Sequence, residues 1–104
     1  MKIVTGPGES ASEAIAALWR AYHAAVAEVR AIADPDEARV AADALAAEVV
    51  RMRAAAARIR AQAVRRIWEE RELSLAQLAG HIGVSKARAQ AFIEQTRGEE
   101  DEQS

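Results

Sequence analysis

Residues 73–98 read LSLAQLAGHIGVSKARAQAFIEQTRG, and the fold turns on how they are parsed. Ser74, followed three residues later by Gln77, has the spacing of a capping box, in which each side chain satisfies a backbone donor at a helix start. A helix therefore opens near Leu75. Gly83 interrupts it, as the residue that accepts positive φ most readily. Ser85 suits the cap of a further helix from Lys86 to about Arg97, with Gly98 placed as its stop. Leu78 and Ile82 face one side of the first of these helices. Ala79 is small where the two helices approach, and Val84 plugs the core just after the turn. Ala89, Phe92 and Ile93 give the second helix its buried face.

This core needs a third wall, and the segment upstream supplies it. From Pro35 to about Glu72 no Gly or Pro intervenes, so one helix of roughly 55 Å is expected. Val64, Ile67 and Trp68 at its end complete a three-helix core with Leu73 and Leu75. Leu45, Val49, Met52, Ala56, Ile59, Ala63 and Arg66/Ile67 step by four and three, a heptad seam. Before it, Asp34-Pro35-Asp36-Glu37 combines a capping aspartate, a proline at the first helical position and a carboxylate in the first turn. An earlier helix opens at Ser10 or Ser12, where Ser10 and Glu13 have capping-box spacing, and ends near Ala33. Its apolar face carries Ile15, Leu18, Tyr22, Val26 (or Ala25), Val29 and Ile32. A break this short predicts an antiparallel hairpin.

The fold expected is all-α. Residues 1–10 form a disordered lead-in and residues 11–60 a coiled-coil-like helical hairpin. Residues 61–98 form a three-helix domain, and residues 99–104 a disordered acidic tail. Of the 104 residues, 51% are hydrophobic but only 4% aromatic, so close helix packing around alanine is expected rather than a large core. A chain this short makes a marginal core, which favours self-association, here a homodimer through the hairpin.

Cysteine is absent, which excludes disulfides and thiolate metal sites. No apolar stretch of signal-peptide or membrane-span type occurs, so a cytoplasmic protein without membrane contact is expected. The net charge of −2 conceals an asymmetry: residues 51–98 carry ten basic and four acidic groups, whereas residues 1–50 carry four basic and eight acidic. The field of such a basic segment is local, so it can attract a polyanion despite the overall balance.

The stretch LSLAQLAGHIGVSKARAQAFI resembles the helix-turn-helix of bacterial DNA-binding regulators and is similar to the promoter-reading C-terminal region of sigma factors. The small residue, the turn glycine, Val-Ser and both apolar faces fall in register. Ala89 departs, standing where the family usually has valine or isoleucine. The resemblance covers about a quarter of the chain. It implies a transcriptional regulator whose helix from Lys86 enters the major groove of double-stranded DNA. Base contacts then fall to Ser85, Lys86, Ala87, Gln90 and Ala91; Gln90 matches adenine and Lys86 guanine. Ser74, Gln77, Arg88, Arg65, Arg66, Arg71 and Arg97 become candidate phosphate contacts. The motif core is Leu78, Ala79, Ile82, Gly83, Val84 and Phe92, anchored by Trp68. A nucleoid-associated location follows.

An alternative is a protein-interaction module that binds RNA polymerase, a sigma factor or another regulator through the hairpin. The basic run Arg51, Arg53, Arg58, Arg60, Arg65 and Arg66 reads equally as a phosphate-facing stripe or as a solvated face, or as partners for acidic residues of the first helix or a second subunit. His23 and His81 are isolated and lack metal spacing. The carboxylates at residues 34–37 and 69–72 suit capping and surface charge better than acid–base chemistry. No enzyme activity, metal or cofactor is expected.

Overall fold

The computed structural model describes residues 7–103, with side-chain surroundings for residues 8–98. Four helices and no strand occur among them: α1 (Pro7–Arg30), α2 (Pro35–Glu70), α3 (Leu75–Ile82) and α4 (Lys86–Gln103). The chain is all-α, as expected. None of the helices is long and apolar enough to cross a membrane. The chain divides into two compact units between Glu48 and Val49, inside α2.

Three helix starts form where the capping residues predict. Asp34 Oδ2 accepts the Glu37 backbone N–H at 2.9 Å and starts α2. At α3 the capping box closes in both directions, Gln77 N–H to Ser74 Oγ at 3.1 Å and Ser74 N–H to Gln77 Oε1 at 2.9 Å. Ser85 Oγ accepts the Arg88 N–H at 3.0 Å and starts α4. Each bond satisfies a donor that helical geometry leaves without a partner.

The C-terminal unit closes a core. Ala61 and Val64 of α2, Leu78 and Ala79 of α3, and Ala89, Phe92 and Ile93 of α4 are buried together. Ile67, Trp68, Leu73, Leu75, Ile82 and Val84 pack around them, half-buried. Alanine at 79 and 89 suits the close approach of α3 and α4, and Leu78, Phe92 and Ile93 are the larger side chains of the cluster.

Two left-handed corners set the angles of this unit. Gly83, at φ 74°, ends α3, and both its N–H and that of Val84 reach the Ala79 carbonyl. Glu72, at φ 51°, ends α2, with the Leu73 N–H bonded to the Trp68 carbonyl at 3.2 Å. The same kind of C-terminal stop is thus made once by a glycine and once by a glutamate, which carries the steric cost of that region. The expected extent of the long helix, to about Glu72, is therefore shortened by two residues.

In the N-terminal unit burial is partial. It falls on Ala25, Val26, Val29 and Ile32 at one side of the Asp34-Pro35 corner, and on Ala38, Ala41 and Leu45 at the other. Ile15, Leu18 and Trp19 are 67%, 50% and 62% exposed. Trp19, Tyr22 and His23 stack on one another along α1, with the Trp19 and Tyr22 ring centroids 5.5 Å apart.

Four expectations are corrected. α1 begins at Pro7, so Ser10 and Ser12 lie inside it, and Ser12 Oγ donates to the Gly8 carbonyl at 3.0 Å instead of capping. It ends at Arg30, three residues before Ala33. Gly98 does not stop α4, which continues through the expected tail to Gln103. Of the expected lead-in, residues 1–6 lie outside the described residues, as does Ser104 of the tail. Finally, the seam expected along α2 is not the buried one. Val49, Met52, Ala56, Ile59 and Ala63 are exposed, and the covered line is Ala57, Ala61, Val64 and Trp68. The reason is compositional. Alanine is spread around this helix, so periodicity alone selects a face weakly, and the covered face is the one whose Ala61 and Val64 enter the core cluster.

Candidate nucleic-acid interface

The site grows from the α3–α4 corner. The capping box, the Gly83 turn and the Ser85 cap fix where α4 starts. Ala89, Phe92, Ile93 and Thr96 fix its rotation, because they turn inward. At 100° per residue the first turns of α4 then expose Lys86, Ala87, Gln90 and Ala91. No carboxylate occurs before Glu94. Lys86 and Arg88 stand about 160° apart around the axis, on opposite flanks of the exposed face.

The expected base-contact residues are thus brought together, with two qualifications of role. Ser85 is occupied as the cap. The Gln90 amide donates to Glu94 Oε1 at 3.1 Å, a bond it must release to pair with a base. Of the expected phosphate contacts, Ser74 and Gln77 hold each other in the capping box, though the Gln77 amide nitrogen keeps its two donors.

Arg65 is corrected. Its side chain is only 18% exposed, and it donates to Glu69 Oε1 at 2.6 Å and to Thr96 Oγ1 at 3.1 Å, so it braces α2 against α4. Thr96 in turn donates to the Ile93 carbonyl at 2.7 Å. Arg66 is exposed and donates to Glu70 at 2.9 Å; this hydrogen bond, and then the charge of Glu70, raises the guanidinium above its ordinary pKa. Arg97 is exposed.

Arg71 Nη1 lies 3.0 Å from His81 Nε2. A guanidinium only donates, so this bond requires the Nε2 lone pair and places any His81 proton on Nδ1. It ties the end of α2 to the last turn of α3.

Two features were not legible in the residue pattern. Thr96 is 3% exposed, a polar residue in the core whose hydroxyl both accepts and donates. Arg60 lies over the Phe92 ring at 5.4 Å from its centroid, and Arg88 over the same ring at 4.5 Å. The spacing of Arg88 and Phe92, four apart on a helix, could have suggested the second contact. The first joins residues 32 positions apart and had no local signal.

No family model matches the chain, and no curated protein and no solved structure does either.

Proposed function

We propose that the chain is a sequence-specific, double-stranded DNA-binding transcriptional regulator in which α3, the Gly83 corner and α4 act as a helix-turn-helix. One observation carries the reading. The closed corner presents two turns of α4 that are exposed and free of carboxylates, and that bear Lys86, Ala87, Gln90 and Ala91 together. Such a helix suits the width of the major groove, where Gln90 would pair with adenine and Lys86 with guanine, and the alanines would allow close approach. Glu94 limits insertion to the start of the helix, since its charge would meet the phosphates. The ten-to-four excess of basic residues over 51–98 supports affinity of the salt-dependent kind.

The N-terminal helices, arranged as a hairpin, serve a homodimer in this reading. A two-fold dimer would present two copies of α4 to half-sites about 34 Å apart or a multiple of that distance. The exposure of Ile15, Leu18 and Trp19 also favours a second reading, contact with RNA polymerase, a sigma factor or another regulator through the same face. Neither reading involves an enzyme activity or a cofactor.

The test is selection of bound fragments from genomic DNA, followed by titration across a salt series. Wild type is expected to bind at low salt and to prefer selected fragments. Lys86→Ala with Gln90→Ala should remove that preference. If binding is absent at low salt, or preference survives both substitutions, the reading fails.

A further inference from the structure

We propose that Arg60 and Arg88, laid over the Phe92 ring from two different helices, form a phosphodiester-binding site that grips the DNA backbone on the flank of α4 opposite Lys86. The proposal rests on the DNA-binding reading and adds to it a grip that spans two helices.

Phe92 is 6% exposed, so its ring is a fixed platform in the core of the C-terminal unit. Arg60 approaches it from α2 and Arg88 from α4, at 5.4 and 4.5 Å. The two guanidinium carbons therefore lie within about 10 Å of each other. A guanidinium held over a ring by its charge still has N–H donors to offer, and a phosphate can take two of them at once. Stacking also limits the rotamers that binding would have to freeze.

The pairing pattern separates these two arginines from others. Arg39, Arg65 and Arg66 each donate to a carboxylate four residues on. No carboxylate among the described residues pairs with Arg60 or Arg88; what holds both is the same aromatic ring. Two cations held on one ring, with no counter-charge supplied by those residues, suit a polyanionic backbone that offers each of them a phosphate. Base reading is the less suitable role. Arg88 stands at the edge of the exposed face of α4, and Arg60 is not on that helix. With Lys86 on the other flank, α4 would carry cations toward both walls of a groove, and the phosphates line those walls.

The experiment titrates a short duplex of mixed sequence into the full chain over a salt series. Wild type is compared with Arg60→Met, Arg88→Met and the double variant, with helicity checked by circular dichroism. Methionine keeps an unbranched stem over Phe92 and removes the charge. Each single variant should lower the slope of log affinity against log salt by about 0.9, and the double variant by the combined amount. Low-salt affinity should fall several-fold in each single variant, equally for unrelated sequences. Arg60→Lys, which keeps the charge without the planar stack, should keep the wild-type slope with weaker binding; it also serves as the arm least prone to a folding defect.

An unchanged slope in both methionine variants overturns the proposal while wild-type binding leaves the DNA reading standing. A loss that depends on the DNA sequence also overturns it, because it assigns these arginines to bases. Absence of wild-type binding at low salt overturns both readings together.

Discussion

The two units obey the same helical periodicity and reach different ends. In the C-terminal unit three helical segments aim their apolar stripes at one centre. Leu78, Phe92 and Ile93 lose nearly all contact with solvent, with alanines fitted between them. In the N-terminal unit the stripe along α1 is just as regular, yet burial stops near Ala25, and Ile15, Leu18 and Trp19 stay open. Two helical segments can shield each other on one side only, whereas a third can close a core. A regular apolar stripe is thus evidence of a helix with one face to cover, and the number of neighbouring elements decides whether the same chain covers it.

The largest expected effect breaks or sustains this comparison directly. Phe92→Ala should destabilise the chain by about 3–5 kcal/mol in a denaturant titration, the usual cost of emptying an aromatic core site. Trp19→Ala, at a residue 62% exposed, should stay within about 0.5 kcal/mol in dilute solution. If the proposed homodimer forms through this face, the substitution should instead weaken self-association measured by sedimentation. Equal losses in the two variants would mean that the N-terminal stripe is covered within one chain, and only monomer at high concentration would sink the dimer.

The two corners come next. Gly83→Ala should cost about 1–2 kcal/mol, since a side chain at φ 74° is strained even though nothing crowds the position. Glu72→Gly relieves the same strain at φ 51° and should raise stability by about 0.5–1 kcal/mol. A melting temperature that moves the same way in both would show that these corners do not control the unit.

The smallest effects sharpen the contrast in electrostatics. Arg65→Met removes a half-buried bond that joins α2 to α4 through Thr96, and about 1 kcal/mol should be lost. Arg39→Ala removes an exposed pair with Asp43 and should change stability by less than about 0.5 kcal/mol. Chemical denaturation of the two variants side by side would rank them, and the reverse order would contradict the burial pattern.

Much of the frame was legible from single residues because it is local. Ser74 with Gln77, Ser85 and Asp34 announce helix starts through bonds spanning three residues, and all three form. Gly83 announces its corner because few other residues tolerate that backbone. The inward set Leu78, Ala79, Ala89, Phe92 and Ile93 was legible because their spacing is that of one helix face. The corner at Glu72 was not, since glutamate carries no signal for positive φ. Nor was the continuation through Gly98, where the helix outlasts a usual stop. Among the candidate contacts, the bond of Arg65 to Thr96 was not legible because its partner lies 31 residues away.

What the amino-acid order determined by itself was therefore the set of helices, the N-terminal caps of α2, α3 and α4, and the face of α4 that turns inward, because these depend on bonds and periodicities within a few residues. The tertiary structure alone decided which face of the alanine-rich α2 is buried, which arginines are held inside the fold, and that Arg60 and Arg88 meet on one ring. Alanine marks no face strongly and arginine reaches far on a flexible stem, so for both residues the neighbours across space settle the role.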